Sequence, residues 1–104
     1  MSGNNEITNT TFSLEYLLDF FKALASEKRQ DILFTVFLDG KEHSVGDVAE
    51  RVLIAPSTAS EHLSYLKRVG ILTSTKVAKE VYYRANRERI LAVLDEVRAR
   101  LSCC

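Results

Sequence analysis

One stretch of the chain decides its fold: residues 44–84 read SVGDVAERVLIAPSTASEHLSYLKRVGILTSTKVAKEVYYR. Apolar residues at helical spacing lead to a break at Ile54-Ala55-Pro56, and a second segment, residues 57–68, stops at Gly70. Two β-like runs follow, residues 71–76 and 81–84, joined by a basic tip. Two helices at a steep angle followed by a β-hairpin are typical of a winged helix-turn-helix, whose second helix enters the DNA major groove. The stretch therefore predicts a mainly α fold with a small β-hairpin wing, and residues 57–68 form its predicted reading helix.

The segments on either side of this stretch are predicted to be helical. From Phe12 onward, apolar residues recur at steps of three and four, and Ser26 is a candidate N-cap for a second helix that ends at Asp39-Gly40. Residues 41–43 could form a short edge strand, and Ser44 with Asp47 three residues later resembles a capping box that opens the next helix. Asn86 is expected to cap a last helix with one apolar stripe: Ile90, Leu91, Val93, Leu94, Val97 and Leu101. We expect residues 1–11 to be a disordered arm and residues 12–104 to form one domain.

The apolar stripes of the first and last helices carry more large side chains than one side of a small domain needs to cover. They could simply close the core of the monomer. We favour packing against their copies in a two-fold homodimer. One reading helix contacts too few base pairs, whereas two of them about 34 Å apart read a palindrome.

Charge is balanced over the chain but unevenly distributed. The 104 residues include 14 Lys/Arg and 14 Asp/Glu. Residues 1–56 carry five Lys/Arg and nine Asp/Glu, whereas residues 57–90 carry seven and three. Unless these charges are merely scattered over the surface, they give the reading helix and wing a basic face that attracts phosphate.

The location of the protein is predicted from what its composition lacks. No run approaches the ~20 apolar residues of a membrane span, and the first eleven residues are too polar for a signal peptide. We therefore expect a cytoplasmic protein without a membrane partner. Both cysteines, Cys103 and Cys104, are the last two residues, which argues against a structural disulfide framework.

Five short motifs together are similar to those of one known family. They are ALASEKRQDIL at residues 23–33, SVGDVA at 44–49, PSTASEHL at 56–63, LKRVGIL at 66–72 and VYYR at 81–84. They resemble the corresponding motifs of the ArsR/SmtB repressors, over roughly residues 14–101. The resemblance implies a homodimeric repressor that leaves its palindromic DNA operator when an inducer binds.

The resemblance and the residue types together give the candidate DNA contacts. Hydroxyls can reach phosphates or base edges, and free N–H groups at a helix start favour phosphate. The groove candidates are Pro56, Ser57, Thr58, Ser60, Glu61 and His62. The basic candidates are Lys67, Lys76, Lys79 and Arg84. Glu61 stands where the family often has histidine, and His62 could instead only brace the helix.

The sensor sites implied by the resemblance lack their usual ligands in this chain. The positions of a Cys-x-Cys metal site in the third helix hold Ser44 and Gly46. Those of a zinc site on the last helix hold Arg87, Arg89, Arg100 and Cys103, and arginine cannot ligate zinc. The second-helix position of a redox cysteine pair holds Phe34. We therefore expect no bound metal and no cofactor.

The two terminal cysteines leave three interpretations open. Cys103 and Cys104 of two chains could sense a thiol-reactive or soft-metal inducer such as As(III) or Cd²⁺. They could equally be exposed thiols of incidental reactivity, or Cys103 could pack in the interface. A regulator independent of metal and without a thiol switch fits the sequence as well.

Other function classes fit the sequence less well than a repressor. A winged-helix module for protein–protein contact would carry an apolar rather than a hydroxyl-rich reading helix. An enzyme is the weakest interpretation, because there is no Gly-rich phosphate loop and no Ser/His/Asp spacing that could meet.

Overall fold

The computed structural model describes residues 12–102. The proposed arm of residues 1–11 and both cysteines, Cys103 and Cys104, lie outside the described residues. The helices and strands are α1 Leu14–Ala23, α2 Glu27–Asp31, β1 His43–Ser44, α3 Val45–Val52, α4 Pro56–Arg68, β2 Leu72–Val77, β3 Glu80–Ala85 and α5 Arg87–Ser102. α4 is the predicted reading helix, so the winged helix-turn-helix prediction is confirmed.

The helical path of α2 extends beyond its α-helical turns. A π-helical turn, Ile32–Val36, and a 3₁₀ turn, Phe37–Asp39, continue it to Gly40, whose φ is 76°. The predicted boundaries at Ser26 and Gly40 are therefore correct, but the predicted single helix is not uniform. Ile32, Leu33 and Val36 of the π-helical turn are buried in the core.

Four of the five helices begin at a polar N-cap side chain. The hydroxyls of Ser13, Ser26 and Ser44 accept hydrogen bonds from the backbone N–H three residues later. The Asn86 side chain accepts one from Arg89 N–H at 3.2 Å. The caps predicted at Ser26, Ser44 and Asn86 are thus confirmed.

The three strands form an antiparallel sheet in the order β1-β3-β2. β2 and β3 pair from Leu72 opposite Ala85 to Val77 opposite Glu80. β2 has the predicted length but is shifted by one residue, whereas β3 is longer than predicted by two residues, because pairing continues up to a two-residue turn at Ala78 and Lys79. β1 is shorter than a full edge strand, since only His43 and Ser44 pair with β3.

One core joins the helices to the sheet. Its fully buried side chains come from every part of the fold and include Phe20, Phe37, Leu63, Leu66, Ile71, Leu72, Val48 and Val93. The reading helix contributes Ala59, Leu63 and Leu66, so one face of it is fixed against the protein.

Helices α1 and α5 keep apolar side chains outside this core. On α1 the exposed residues are Leu14, Leu18 and Phe21, and on α5 they are Leu91, Leu94 and Leu101. Of the α5 stripe only Val93 is buried. Within residues 12–102, none of the helices has the length and apolar character to cross a membrane.

Candidate nucleic-acid interface

The reading helix turns its polar face to solvent. The buried Ala59, Leu63 and Leu66 occupy one side of α4. The exposed side chains of the helix include Pro56, Ser57, Thr58, Ser60, Glu61, Ser64, Lys67 and Arg68. Because successive helical residues are 100° apart, Ser57, Glu61, Ser64 and Arg68 fall opposite the buried side. Ser64 was not among the sequence candidates, although its spacing from Ser57 and Ser60 was the signal that could have found it.

The start of α4 differs from the starts of the other helices. Its N-cap residue, Ala55, makes no side-chain hydrogen bond to the helix, and Pro56 follows in the first turn. Pro56 has no N–H group, so the first amides without an intrahelical acceptor are those of Ser57 and Thr58. Free amides and the positive end of the helix dipole favour an anionic group such as phosphate.

Arg29 of α2 holds the flank of the reading helix. Its Nε donates to the Ala23 carbonyl at 2.7 Å, and its Nη1 lies 3.3 Å from His62 Nδ1. Its guanidinium carbon lies 4.2 Å from the centroid of the Tyr65 ring, and that of Arg68 lies 4.9 Å from the same ring. Burial, followed by the charge of Arg29, lowers the pKa of His62 below its ordinary value. The bracing interpretation of His62 thus has a partner, Arg29, that the sequence candidates omitted.

The basic candidates of the wing lie in two environments. Lys76 and Lys79 are exposed near the tip, and the turn between the strands places Ala78 at a φ of 57°. Arg84 pairs across the sheet with Thr73, and its Nη2 lies 3.9 Å from Glu42 Oε2. Arg84 also borders an apolar pocket of about 230 Å³ beside the start of α5. The contacts of Lys67, Lys76, Lys79 and Arg84 with DNA stay predictions.

The end of the reading helix is tied to both outer helices. The Tyr16 hydroxyl of α1 donates to the Val69 carbonyl at 2.6 Å. Arg89 of α5 donates through Nη1 to the same hydroxyl at 3.1 Å. Gly70 follows with a φ of 85°. We call these residues the Tyr16 junction, and it fixes α4 relative to α1 and α5.

A buried histidine fixes α3, against which the reading helix packs. His43 is 7% exposed, and its two ring nitrogens lie 2.8 Å from Asp39 Oδ2 and 2.7 Å from Asp47 Oδ2. A backbone hydrogen bond from Lys41, with a smaller effect of His43, lowers the pKa of Asp39. The hydrogen bond from His43 is the main cause that lowers the pKa of Asp47. Both carboxylates therefore hold the 3₁₀ turn, β1 and α3 together.

Three of the positions that the resemblance assigns to metal sites make structural contacts here. Ser44 caps α3, and Arg89 belongs to the Tyr16 junction. Arg100 donates to Glu96 at 2.8 Å and to the Phe12 carbonyl at 2.7 Å. Across residues 12–102 there is no group of three or more His, Cys, Asp or Glu side chains that could hold a metal ion.

Comparison with known proteins places the chain among bacterial regulators. A family model described as "Bacterial regulatory protein, arsR family" matches residues 26–74. The chain is 37% identical to the transcriptional activator HlyU of Vibrio cholerae over 79% of its own length and 73% of that protein. It is also 37% identical to a Staphylococcus aureus homologue of the cadmium resistance regulator CadC, covering 73% of this chain and 62% of that protein.

Solved structures agree with these sequence matches. Reduced HlyU from Vibrio cholerae matches with a TM-score of 0.64 at 31% identity, covering 86% of this chain and 92% of that one. A second match, with a TM-score of 0.67 at 30% identity, is the homodimeric winged helix-turn-helix DNA-binding domain of Mycobacterium bovis Mb0332. It covers 86% of this chain and 82% of that one. The chain therefore belongs to the ArsR family of bacterial regulatory proteins, as a DNA-binding transcriptional regulator and not an enzyme.

Proposed function

We propose that the chain is a homodimeric, sequence-specific repressor that acts in the cytoplasm, binds a palindromic operator and is released by an inducer. The observation that carries this proposal is the reading helix, whose outer face consists of hydroxyl and charged side chains. Its uncapped start offers the Ser57 and Thr58 amides to phosphate. The exposed Lys76 and Lys79 add positive charge along the wing.

Homodimer formation is supported by the apolar surface of α1 and α5. Leu18 is 61% exposed and Leu94 is 49% exposed, and both belong to helical stripes that the core leaves uncovered. A two-fold axis through these helices pairs identical surfaces and presents two reading helices to one duplex. The Mycobacterium bovis relative named above is homodimeric by its own description.

Repression, rather than activation, is part of the proposal. A dimer that covers an operator overlapping a promoter excludes RNA polymerase and needs no further contact surface. The relatives carry both descriptions, since SdpR of Bacillus subtilis is named a repressor and HlyU an activator. Transcription from the promoter upstream of the gene for this chain, measured in vitro with and without the protein, decides the direction. Fewer transcripts support repression, and more transcripts contradict it.

The DNA-binding proposal is tested by fluorescence anisotropy on that promoter fragment and on a scrambled duplex, at several salt concentrations. We expect tighter binding to the promoter and a steep loss of affinity with salt, because each neutralised phosphate releases a counterion. Lys79→Ala should weaken both duplexes equally and reduce the salt slope by about one unit. Lys41→Ala, which removes the same charge from the exposed loop before β1, is the matched control. Absence of duplex affinity would instead favour a protein–protein module.

The inducer is tested at the terminal cysteines, which lie outside the described residues. Operator binding of the reduced protein is measured again after oxidation, after addition of As(III) and after addition of Cd²⁺. A thiol switch requires that binding be lost on treatment and kept in a Cys103→Ser/Cys104→Ser variant. Operator binding that is unchanged by all three treatments would show that these cysteines are not the switch. It would favour a regulator without a thiol switch.

A further inference from the structure

Arg29 contacts three residues in different elements of the fold in addition to His62. Its backbone N–H is bonded to the cap Ser26 at 3.2 Å, its Nε to Ala23 of α1 at 2.7 Å, and its guanidinium stacks on Tyr65. A guanidinium held by a backbone carbonyl and an aromatic face has little freedom to rotate. Its Nη1–H therefore meets His62 Nδ1 from a fixed direction.

The contact determines which ring nitrogen of His62 carries a proton. Arginine has only donors, so the Nδ1 atom 3.3 Å from Arg29 Nη1 must accept with its lone pair. In the neutral ring the proton then lies on Nε2, which becomes a donor. Protonation would set an Nδ1–H donor against the Arg29 donor and break the contact. The charged groups nearest His62 are Arg29 and Lys28 of α2 and Glu61 of α4.

The donor atom of His62 is open to an external acceptor. Within residues 12–102, Nε2 makes no hydrogen bond, and no buried side-chain polar atom lacks a partner. Nε2 must therefore reach solvent. His62 lies one helical turn after the exposed Thr58, so its open nitrogen is on the flank that borders the polar face of α4.

We propose that Arg29 is a positioning residue for DNA recognition, which holds the His62 ring so that Nε2–H donates to a hydrogen-bond acceptor of the bound DNA. The inference rests on the proposed function. In the major groove the acceptors are guanine N7 and O6, adenine N7 and thymine O4, and phosphate oxygens share the same chemistry. A ring fixed as a donor at Nε2 disfavours the amino groups of cytosine and adenine at that place.

The test is a double-mutant cycle on a duplex selected from a random library by the wild-type protein. His62→Ala should weaken binding to this duplex about tenfold, the effect of one lost specific donor. Arg29→Met, which keeps an apolar side chain against Tyr65, should weaken it several-fold. The double variant should bind no more weakly than His62→Ala alone, because Arg29 acts through His62. Losses that multiply would overturn the proposal and make Arg29 an independent contact.

Three further measurements separate positioning from folding and from charge. Arg29→Lys keeps the charge but not the planar fork, so it should lose affinity like Arg29→Met. Thermal unfolding verifies that each variant is folded. Nitrogen-15 NMR of the His62 ring should show a bare Nδ1 and a protonated Nε2 in the wild type. A proton on Nδ1 in the wild-type ring would overturn the proposal even if the affinities agreed.

The same experiment identifies the acceptor. If it is a base, His62→Ala relaxes discrimination at one position of each half-site, whereas a phosphate acceptor gives equal losses on all duplexes. Either result supports a donor at Nε2, and an unchanged affinity of His62→Ala contradicts it. If the wild type selects no duplex at all, the proposed function fails before the cycle is measured, so the two failures are distinguishable.

Discussion

Gly70 occupies a place where any other residue meets two obstacles. Its φ of +85° is disfavoured for residues with a Cβ atom, and an added Cβ would lie 2.9 Å from Arg89 Nη1 and 3.1 Å from the Tyr16 hydroxyl. The tip of Arg89 can move only by giving up its bond to Tyr16. Gly70 thus allows the chain to turn after the reading helix without a clash with Arg89 and Tyr16.

Three glycine-to-alanine variants separate strain from crowding. Gly70→Ala should lower the free energy of unfolding by about 2–3 kcal/mol, from left-handed strain and the clash together. Gly40→Ala, with a φ of +76° and open space around it, should lose only the strain, about 1–2 kcal/mol. Gly46→Ala, within α3 and 4.0 Å from its nearest neighbour, should gain up to about 1 kcal/mol. Urea unfolding at equal protein concentration measures the stability of all three variants. Equal losses of stability in Gly40→Ala and Gly70→Ala would contradict a clash at Gly70.

The carboxylates beside His43 make the stability of the fold sensitive to acid. Their pKa values are lowered in the folded protein from the ordinary 3.8. Their contribution is therefore present above the unfolded value and is lost as the pH falls through the folded values. We expect the free energy of unfolding to fall steeply below about pH 4 in the wild type, and less steeply in Asp47→Asn. Urea unfolding from pH 3 to 7 measures this, with Asp19→Asn, which removes an exposed carboxylate from α1, as the charge-matched control.

At the scale of single residues, the sequence predicts those roles that depend on a partner nearby in the chain. Ser26, Ser44 and Asn86 were recognisable as caps because a cap and its acceptor amide are three residues apart. Arg29 and Tyr16 were not recognisable as contacts of His62 and Val69, because the partners are 33 and 53 residues away in the chain. The DNA contacts of the reading helix stay predictions.

Of the five helices within residues 12–102, only the reading helix starts without a capping side chain. We therefore expect that adding a cap there would stabilise the fold but weaken DNA binding. Ala55→Asp should raise the free energy of unfolding by about 1 kcal/mol, because its carboxylate satisfies the free amides and complements the helix dipole. The same variant should bind DNA more weakly, because the carboxylate occupies those amides and repels phosphate. Ala55→Ser supplies the cap without charge and should lose less affinity. Unfolding and anisotropy measured on both variants provide the test, and tighter binding by Ala55→Asp would refute it.

The elements themselves were largely predictable, but their irregularities were not. The apolar spacing of residues 26–39 predicts a helix whatever its hydrogen-bond pattern, so the π-helical turn Ile32–Val36 leaves no separate signal. The first wing strand is shifted by one residue and the second exceeds its predicted length, because main-chain pairing, not side-chain alternation, carries them to Val77 and Glu80. A strand of two residues, His43–Ser44, depends on its neighbour β3 more than on its own composition.

At the scale of the whole molecule, the exposed apolar stripes of α1 and α5 predict that a charged substitution in either stripe disrupts the proposed homodimer. Leu94→Glu or Leu18→Glu should convert the dimer to monomers, because an unpaired carboxylate cannot be buried cheaply in an apolar interface. Sedimentation velocity measures this, and operator affinity should fall with the dimer. Leu53→Asn removes a side chain that is 87% exposed but lies between α3 and α4 at a φ of 60°, where asparagine is tolerated. This control should remain dimeric, and a dimeric Leu94→Glu would contradict the proposed interface.

Tyr65 has a consequence for how this molecule can be observed. The chain has no tryptophan and four tyrosines, so tyrosine dominates its ultraviolet emission. One of the four lies on the reading helix with the guanidinium groups of Arg29 and Arg68 near its ring. Any ligand that draws Arg68 away changes the surroundings of that chromophore. The protein therefore carries an intrinsic optical reporter on its reading helix, and we expect binding at that helix to be measurable in real time without a dye.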